Sequence, residues 1–106
     1  MDYKFHEDII LKVAKTYIDN TYNEHYANGK YQATDLIVDA GHGEGFCIGN
    51  IIKYAQRYGK KSGYNRDDLK KIIHYTIIMM HLHDNYYLRE KKNDETQEKT
   101  ISSENY

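Results

Sequence analysis

Gly45-Phe-Cys-Ile-Gly-Asn-Ile-Ile-Lys-Tyr-Ala-Gln-Arg-Tyr-Gly-Lys-Lys-Ser-Gly-Tyr-Asn-Arg-Asp-Asp-Leu-Lys-Lys-Ile-Ile-His-Tyr75 reads as helix, glycine-bounded basic loop, helix. Successive residues sit about 100° apart on a helix. Ile48, Ile51, Ile52, Ala55 and Tyr58 therefore share one side of the first helix, and Asn50, Lys53, Arg57 and Lys61 share the other. The first side is the expected core face and the second a polar, cationic stripe. Beyond Gly59 the loop adds Lys60 and Lys61. The next helix opens at Asn65, with Asp67 and Asp68 in its first turn, where carboxylates suit the helix dipole.

Working outward, Phe5, Ile9, Ile10, Val13, Ala14, Tyr17 and Ile18 recur at helical spacing and predict an amphipathic helix from Asp2 to about Tyr22. Asn20 to Lys30 is polar, contains the turn signal Asn28-Gly29, and reads as a loop. A shorter helix is predicted over Tyr31 to Ala40, stopped by Gly41. Three glycines at alternate positions in Gly41-His-Gly-Glu-Gly45 read as a flexible connection or as a backbone cradle for an anion. The absence of a following Gly-Lys-Ser/Thr excludes a Walker-type P-loop. The last helix is predicted from Arg66 to about Lys91, burying Leu69, Ile72, Ile73, Thr76, Met79, Met80 and His83. Residues 93–106 read as a disordered polar tail, which leaves one helical domain over 1–92.

The expected fold is all-α, three to four helices around a central helical hairpin. A core drawn from so short a chain predicts association with further copies. With 15 basic against 16 acidic residues the formal net charge is −1, so neither nucleic acid nor an anionic membrane is an expected partner and any anion site is local. The single Cys47 excludes an internal disulfide and suits a reducing cytoplasm. The longest apolar run is far too short to cross a bilayer.

Arginine forks and lysine ammonium groups bind phosphate, and asparagine can hydrogen-bond a base or ribose. Asn50, Lys53, Arg57, Lys60 and Lys61 are therefore the candidate nucleotide-binding stripe, against the ordinary outcome of a solvated charged face. Asp67 and Asp68 could hold Mg²⁺ on phosphate oxygens, against the ordinary outcome of dipole-compensating charges with an Asp67–Lys71 pair. The six histidines have no recognisable zinc spacing, and no zinc is expected. Cys47 reads as structural. The doubled Glu-x-x-Glu and Glu-x-x-Asp carboxylates that small all-helical nucleotide pyrophosphatases need for their metals do not occur in the chain.

Gly49-Asn50-x-x-Lys53-Tyr54-x-x-Arg57-x-Gly59-x-Lys61, followed by Asp67-Asp68-Leu69-Lys70-Lys71 and Tyr75, resembles the signature of a small family of phage-encoded proteins catalogued as a domain of unknown function, whose best-known relative is a phage nucleotide kinase. The family's leading His-Tyr pair falls at His25-Tyr26, so the resemblance covers roughly residues 24–82. It implies a cytoplasmic, phage-type protein that binds a nucleotide or nucleotide-derived molecule, with His25 and Tyr26 added to the site and nucleoside monophosphate kinase activity on a Mg-nucleotide as the implied chemistry. The alternative is a non-catalytic module that sequesters a nucleotide-derived signal or inhibits a host protein.

Overall fold

The computed structural model describes residues 1–26 and 33–96, with side chains for 1–24 and 33–86. Four helices follow in order: α1 (Glu7–Tyr26), α2 (Ala33–Asp39), α3 (Gly43–Arg57) and α4 (Arg66–Thr96), with no strand among the described residues. The all-α expectation and the central hairpin both hold.

Each helix end has a local cause. Glu7 and Asp8 lie in the first turn of α1, and the Glu7 carboxylate accepts from the Phe5 backbone N–H at 3.1 Å. Past the expected end at Tyr22 the helix continues to Tyr26, because no glycine or proline interrupts the chain before Asn28-Gly29. The loop predicted from Asn20 is therefore helical over its first residues. Gly41, at φ 90°, closes α2 with a complete Schellman motif: His42 N–H donates to Ile37 O at 3.0 Å and Gly41 N–H to Val38 O at 2.9 Å. Asn65 caps α4 by accepting from Asp67 N–H at 2.8 Å. Helix α4 runs beyond the expected Lys91 into the segment read as a tail, and residues 97–106 lie outside the described residues.

Two expectations about α3 are corrected. The run Gly41–Gly45 is not a loop to its end, since α3 already begins at Gly43. Glycine costs a helix about 1 kcal/mol per residue, and here packing supplies the compensation. A Cβ at Gly43 would sit 2.8 Å from Leu82 Cδ1 and 3.2 Å from Val38 Cγ2, so α2, α3 and α4 meet at this hydrogen-only position. The second correction concerns the buried face. Gly43, Cys47, Asn50, Tyr54 and Arg57, spaced 4, 3, 4 and 3 apart, form the seam toward α4 and are buried or half-buried, whereas Ile48, Ile52, Ala55 and Tyr58 are exposed. Tyrosine and arginine bury their apolar bodies and keep their polar tips hydrated or paired, so Asn50 and Arg57 of the polar stripe pack with Tyr54, while Lys53 and Lys61 stay exposed and Ile51 of the expected core face is half-buried.

Helices α3 and α4 are antiparallel, with Gly43 at Leu82, Phe46 and Tyr54 at Tyr75, and Arg57 at Asp68. Helix α1 lies on α4, with Ala14 buried and Tyr17 edge-on to His74 at 6.1 Å. Of the predicted α4 stripe, Ile72, Ile73 and Met79 are half-buried, while Leu69, Thr76, Met80 and His83 are exposed. Among the described residues Ala14 and Cys47 are the only fully buried apolar side chains, a small core for four helices.

The glycines of α3 yield a paired prediction. Gly43→Ala is expected to destabilise by about 1–3 kcal/mol through overpacking against Leu82 and Val38. Gly45→Ala, where an added Cβ meets nothing within 4 Å, is expected to stabilise by up to about 1 kcal/mol. Urea unfolding of the two variants checks the opposite signs.

Candidate functional site

The seam places Tyr54 at the centre of a cationic cluster. Lys53 Nζ lies 5.3 Å from its ring centroid, Lys71 Nζ 5.6 Å and Arg57 Cζ 5.9 Å, all within cation–π reach. Lys71 is shared with Tyr17 of α1, at 5.9 Å, and Lys70 lies 6.0 Å from the same ring. Three helices thus contribute: α3 brings Lys53, Tyr54 and Arg57, α4 brings Lys70 and Lys71, and α1 brings Tyr17.

Beneath the cations lies an aromatic floor. The Tyr75 ring stacks near-parallel to Tyr54 at 6.2 Å, meets Phe46 edge-on at 5.7 Å and lies 6.3 Å from His74. Burial, with the neighbouring Tyr54, Tyr17 and Cys47, pushes the Tyr75 phenol above its ordinary value, so it stays protonated at neutral pH. Burial likewise pushes the Cys47 thiol up, which suits a packed seam residue and not a nucleophile.

One carboxylate is enclosed here. Asp68, 3% exposed, faces Arg57 Nε through Oδ1 at 3.4 Å, while Asp68 Oδ2 and Arg57 Nε are both buried without a hydrogen-bond partner. Asp67, its neighbour, is exposed and paired with Lys70 at 3.4 Å in place of the expected Lys71. The two aspartates therefore do not converge on a shared cation position. A Mg²⁺ ion arriving on phosphates would find only Asp67 accessible, since Asp68 is turned into the seam. Among the described residues no three His, Cys, Asp or Glu come together in a group that could hold a metal ion.

Of the residues singled out from sequence, Lys53 and Arg57 are brought together on Tyr54. Asn50 is half-buried in the seam, its Nδ2 donating to Phe46 O of its own helix at 2.9 Å. Lys60 donates from Nζ to Gln56 O at 3.0 Å, and Lys61 is exposed in the turn. His25 and Tyr26 end α1, and their side chains lie outside those described. Tyr17, Tyr54, Lys71, His74 and Tyr75 were not singled out for the site. A signal was present for Tyr54, an aromatic flanked by Lys53 and Arg57 in the sequence.

His74 carries a pH prediction. Burial lowers its pKa from the ordinary 6.5, so the native state disfavours the protonated ring. A depressed pKa contributes stability that is present above the unfolded value near 6.5 and is lost as pH falls through the lower folded value. Melting temperature is expected to fall on acidification below about pH 6.5, and His74→Gln is expected to flatten that part of the profile.

Fold and site together define a small all-helical protein with a cation–aromatic cluster where three helices meet. The chain belongs to the family described as Protein of unknown function (DUF3310), whose model matches residues 20–76, just over half of the chain. That match spans α2, α3, the basic turn and the first part of α4, and so takes in every residue of the cluster except Tyr17. Comparison with curated proteins and with solved structures returned no match. Among the described residues no helix is long and apolar enough to cross a membrane.

Proposed function

We propose that the chain is a nucleotide-binding protein that holds the phosphates of a nucleoside mono- or triphosphate at Lys53, Arg57 and Lys71. The observation that carries the reading is the gathering of these three cations, drawn from two helices, around the one ring of Tyr54. Like charges held within about a Debye length of one another, near 10 Å, repel, and Asp67 and Asp68 offset them only in part. A bound polyanion relieves that repulsion and accepts charge-assisted hydrogen bonds from all three. The resemblance of the Gly49–Tyr75 pattern to phage proteins that include a nucleotide kinase supports the same ligand. It extends the reading to a phage-encoded protein of the host cytoplasm that transfers phosphate between nucleotides.

A second reading, binding without transfer, is favoured by the way Asp67 and Asp68 turn to different partners. In that case the protein sequesters a nucleotide-derived signal or acts on a host protein. Incubation with labelled ATP and each nucleoside monophosphate, followed by product separation, discriminates the two: a new labelled nucleotide supports transfer, and a stoichiometric complex without turnover supports sequestration. Lys53→Ala is expected to weaken binding about tenfold or more, since a charge-assisted hydrogen bond is worth about 1.5–3 kcal/mol. Calorimetric titration that detects no binding of any nucleotide by the wild-type chain overturns transfer and sequestration alike and leaves action on a host protein.

A further inference from the structure

Lys71, His74 and Tyr75 face two ways. Besides bordering the Tyr54 cluster, they line a half-open cavity of about 730 Å³ bordered by α1, α2 and α4. That volume lies within the range of about 300–1,000 Å³ common for small-molecule sites. Tyr17, Ile18, Ile78 and Leu82 give its wall aromatic and aliphatic stretches, and Thr21, Glu24, Thr34 and His81 add polar groups. The polarity of the wall changes along its length. Lys71 supplies positive charge at one end. Leu82 is eleven residues further along α4, a rise of about 16 Å, and lies beside Val38 of α2. Asp35 and Asp39, on the same face of α2 as Val38, add carboxylates there.

We infer that this cavity lodges the planar ring of a nucleoside phosphate whose phosphate lies against Lys71, the ring packing among Tyr17, His74 and Tyr75. The inference rests on the nucleotide reading above and extends it from the anionic group to the whole ligand. Aromatic side chains present flat faces that stack on a base whatever its identity. His74, held toward its neutral form by burial, adds an uncharged ring to that wall. Carboxylates at the α2 end repel a second phosphate there. Positive charge at the Lys71 end and carboxylates at the α2 end set the direction of the ligand, with the phosphate at Lys71 and the base further along the cleft.

Calorimetry with ribose 5-phosphate and with each common nucleoside monophosphate tests the ring site, because the two probe classes share the sugar phosphate and differ in the base. At least one nucleoside monophosphate is expected to bind tenfold or more tightly than ribose 5-phosphate. Ile78→Trp and Thr21→Trp, which fill the cavity from α4 and from α1, are each expected to remove that advantage while leaving ribose 5-phosphate affinity unchanged. Equal wild-type affinity for the two classes, or a folded filling variant that retains the advantage, overturns the ring site and leaves the anion cluster standing. Failure of every phosphate probe to bind overturns both. If neither filling variant folds, the wild-type comparison of the two probe classes decides.

Discussion

Replacing Arg57 by alanine is expected to destabilise the fold by about 3 kcal/mol. The reason lies in Asp68, which is 3% exposed, has its Oδ2 already without a hydrogen-bond partner, and faces Arg57 Nε at 3.4 Å. Removing one member of a buried pair leaves the other as an uncompensated charge, which costs about 3–5 kcal/mol. Arg57 keeps 31% of its side chain in water, so solvent reaches the vacated position and the lower end of that range applies. Asp68→Asn removes the buried charge while nearly preserving shape, and in the Arg57→Ala background it is expected to recover about half of the loss. Urea unfolding of the wild type, the two single variants and the double variant measures the coupling. An Arg57→Ala cost below about 1 kcal/mol, or a double variant no more stable than Arg57→Ala, removes the pair as a support of the hairpin.

The same pair marks how far the sequence could be read. Periodicity located α3 and α4, Asn65 and Gly41 announced a cap and a stop, and the hairpin followed from the short basic turn between them. Which face of α3 packs was not legible from residue class. Ile48 and Ile52 look like core and stand in solvent, 43% and 60% exposed, because Gly43, Phe46, Tyr54 and Arg57 each meet a specific partner on α4. Helical spacing reports that two faces differ and does not name the face that finds a neighbour. The glycines at 43 and 45 misled for a related reason, since helix propensity is a weak local preference that the packing of Gly43 on Leu82 and Val38 overrides.

The candidate site was legible to the extent that it lies on one helix. Lys53 and Arg57 share a face of α3, and their common ring, Tyr54, stands between them in the chain. Lys71 and Tyr17 reach the cluster from α4 and α1, and an arrangement between helices leaves no trace in the spacing within any one of them. Lys60 and Lys61 carry the right charge at a neighbouring place in sequence. The turn instead sends Lys60 back to the Gln56 carbonyl, with Gly59 at φ 87° and Gly63 at φ 69° setting its path.

Light scattering at micromolar concentration is expected to give the wild-type chain a mass of two copies or more, and Ile48→Asp with Ile52→Asp is expected to reduce it to one. Helix α3 presents these isoleucines one turn apart on the face opposite its seam. Between them an added Cβ at Gly49 would meet nothing within 4 Å, so another backbone can come close. Phe5, 72% exposed just ahead of α1, and Ile9, 55% exposed in its first turns, offer a second such surface. The short chain pointed only to association; the apolar start of the chain and the turned face of α3 are rival contacts. Burying an isoleucine contributes about 1.5–3 kcal/mol, and two from each copy supply a useful share of an interface. An aspartate there instead carries an unpaired charge out of water. Ile48 and Ile52 lie on the face of α3 opposite Tyr54, so helicity and nucleotide affinity are expected to survive the change. A wild-type monomer sinks the association. A wild-type oligomer that survives the α3 changes and falls apart with Phe5→Asp and Ile9→Asp moves the interface to α1, and leaves the exposed isoleucines of α3 as a surface for a different protein.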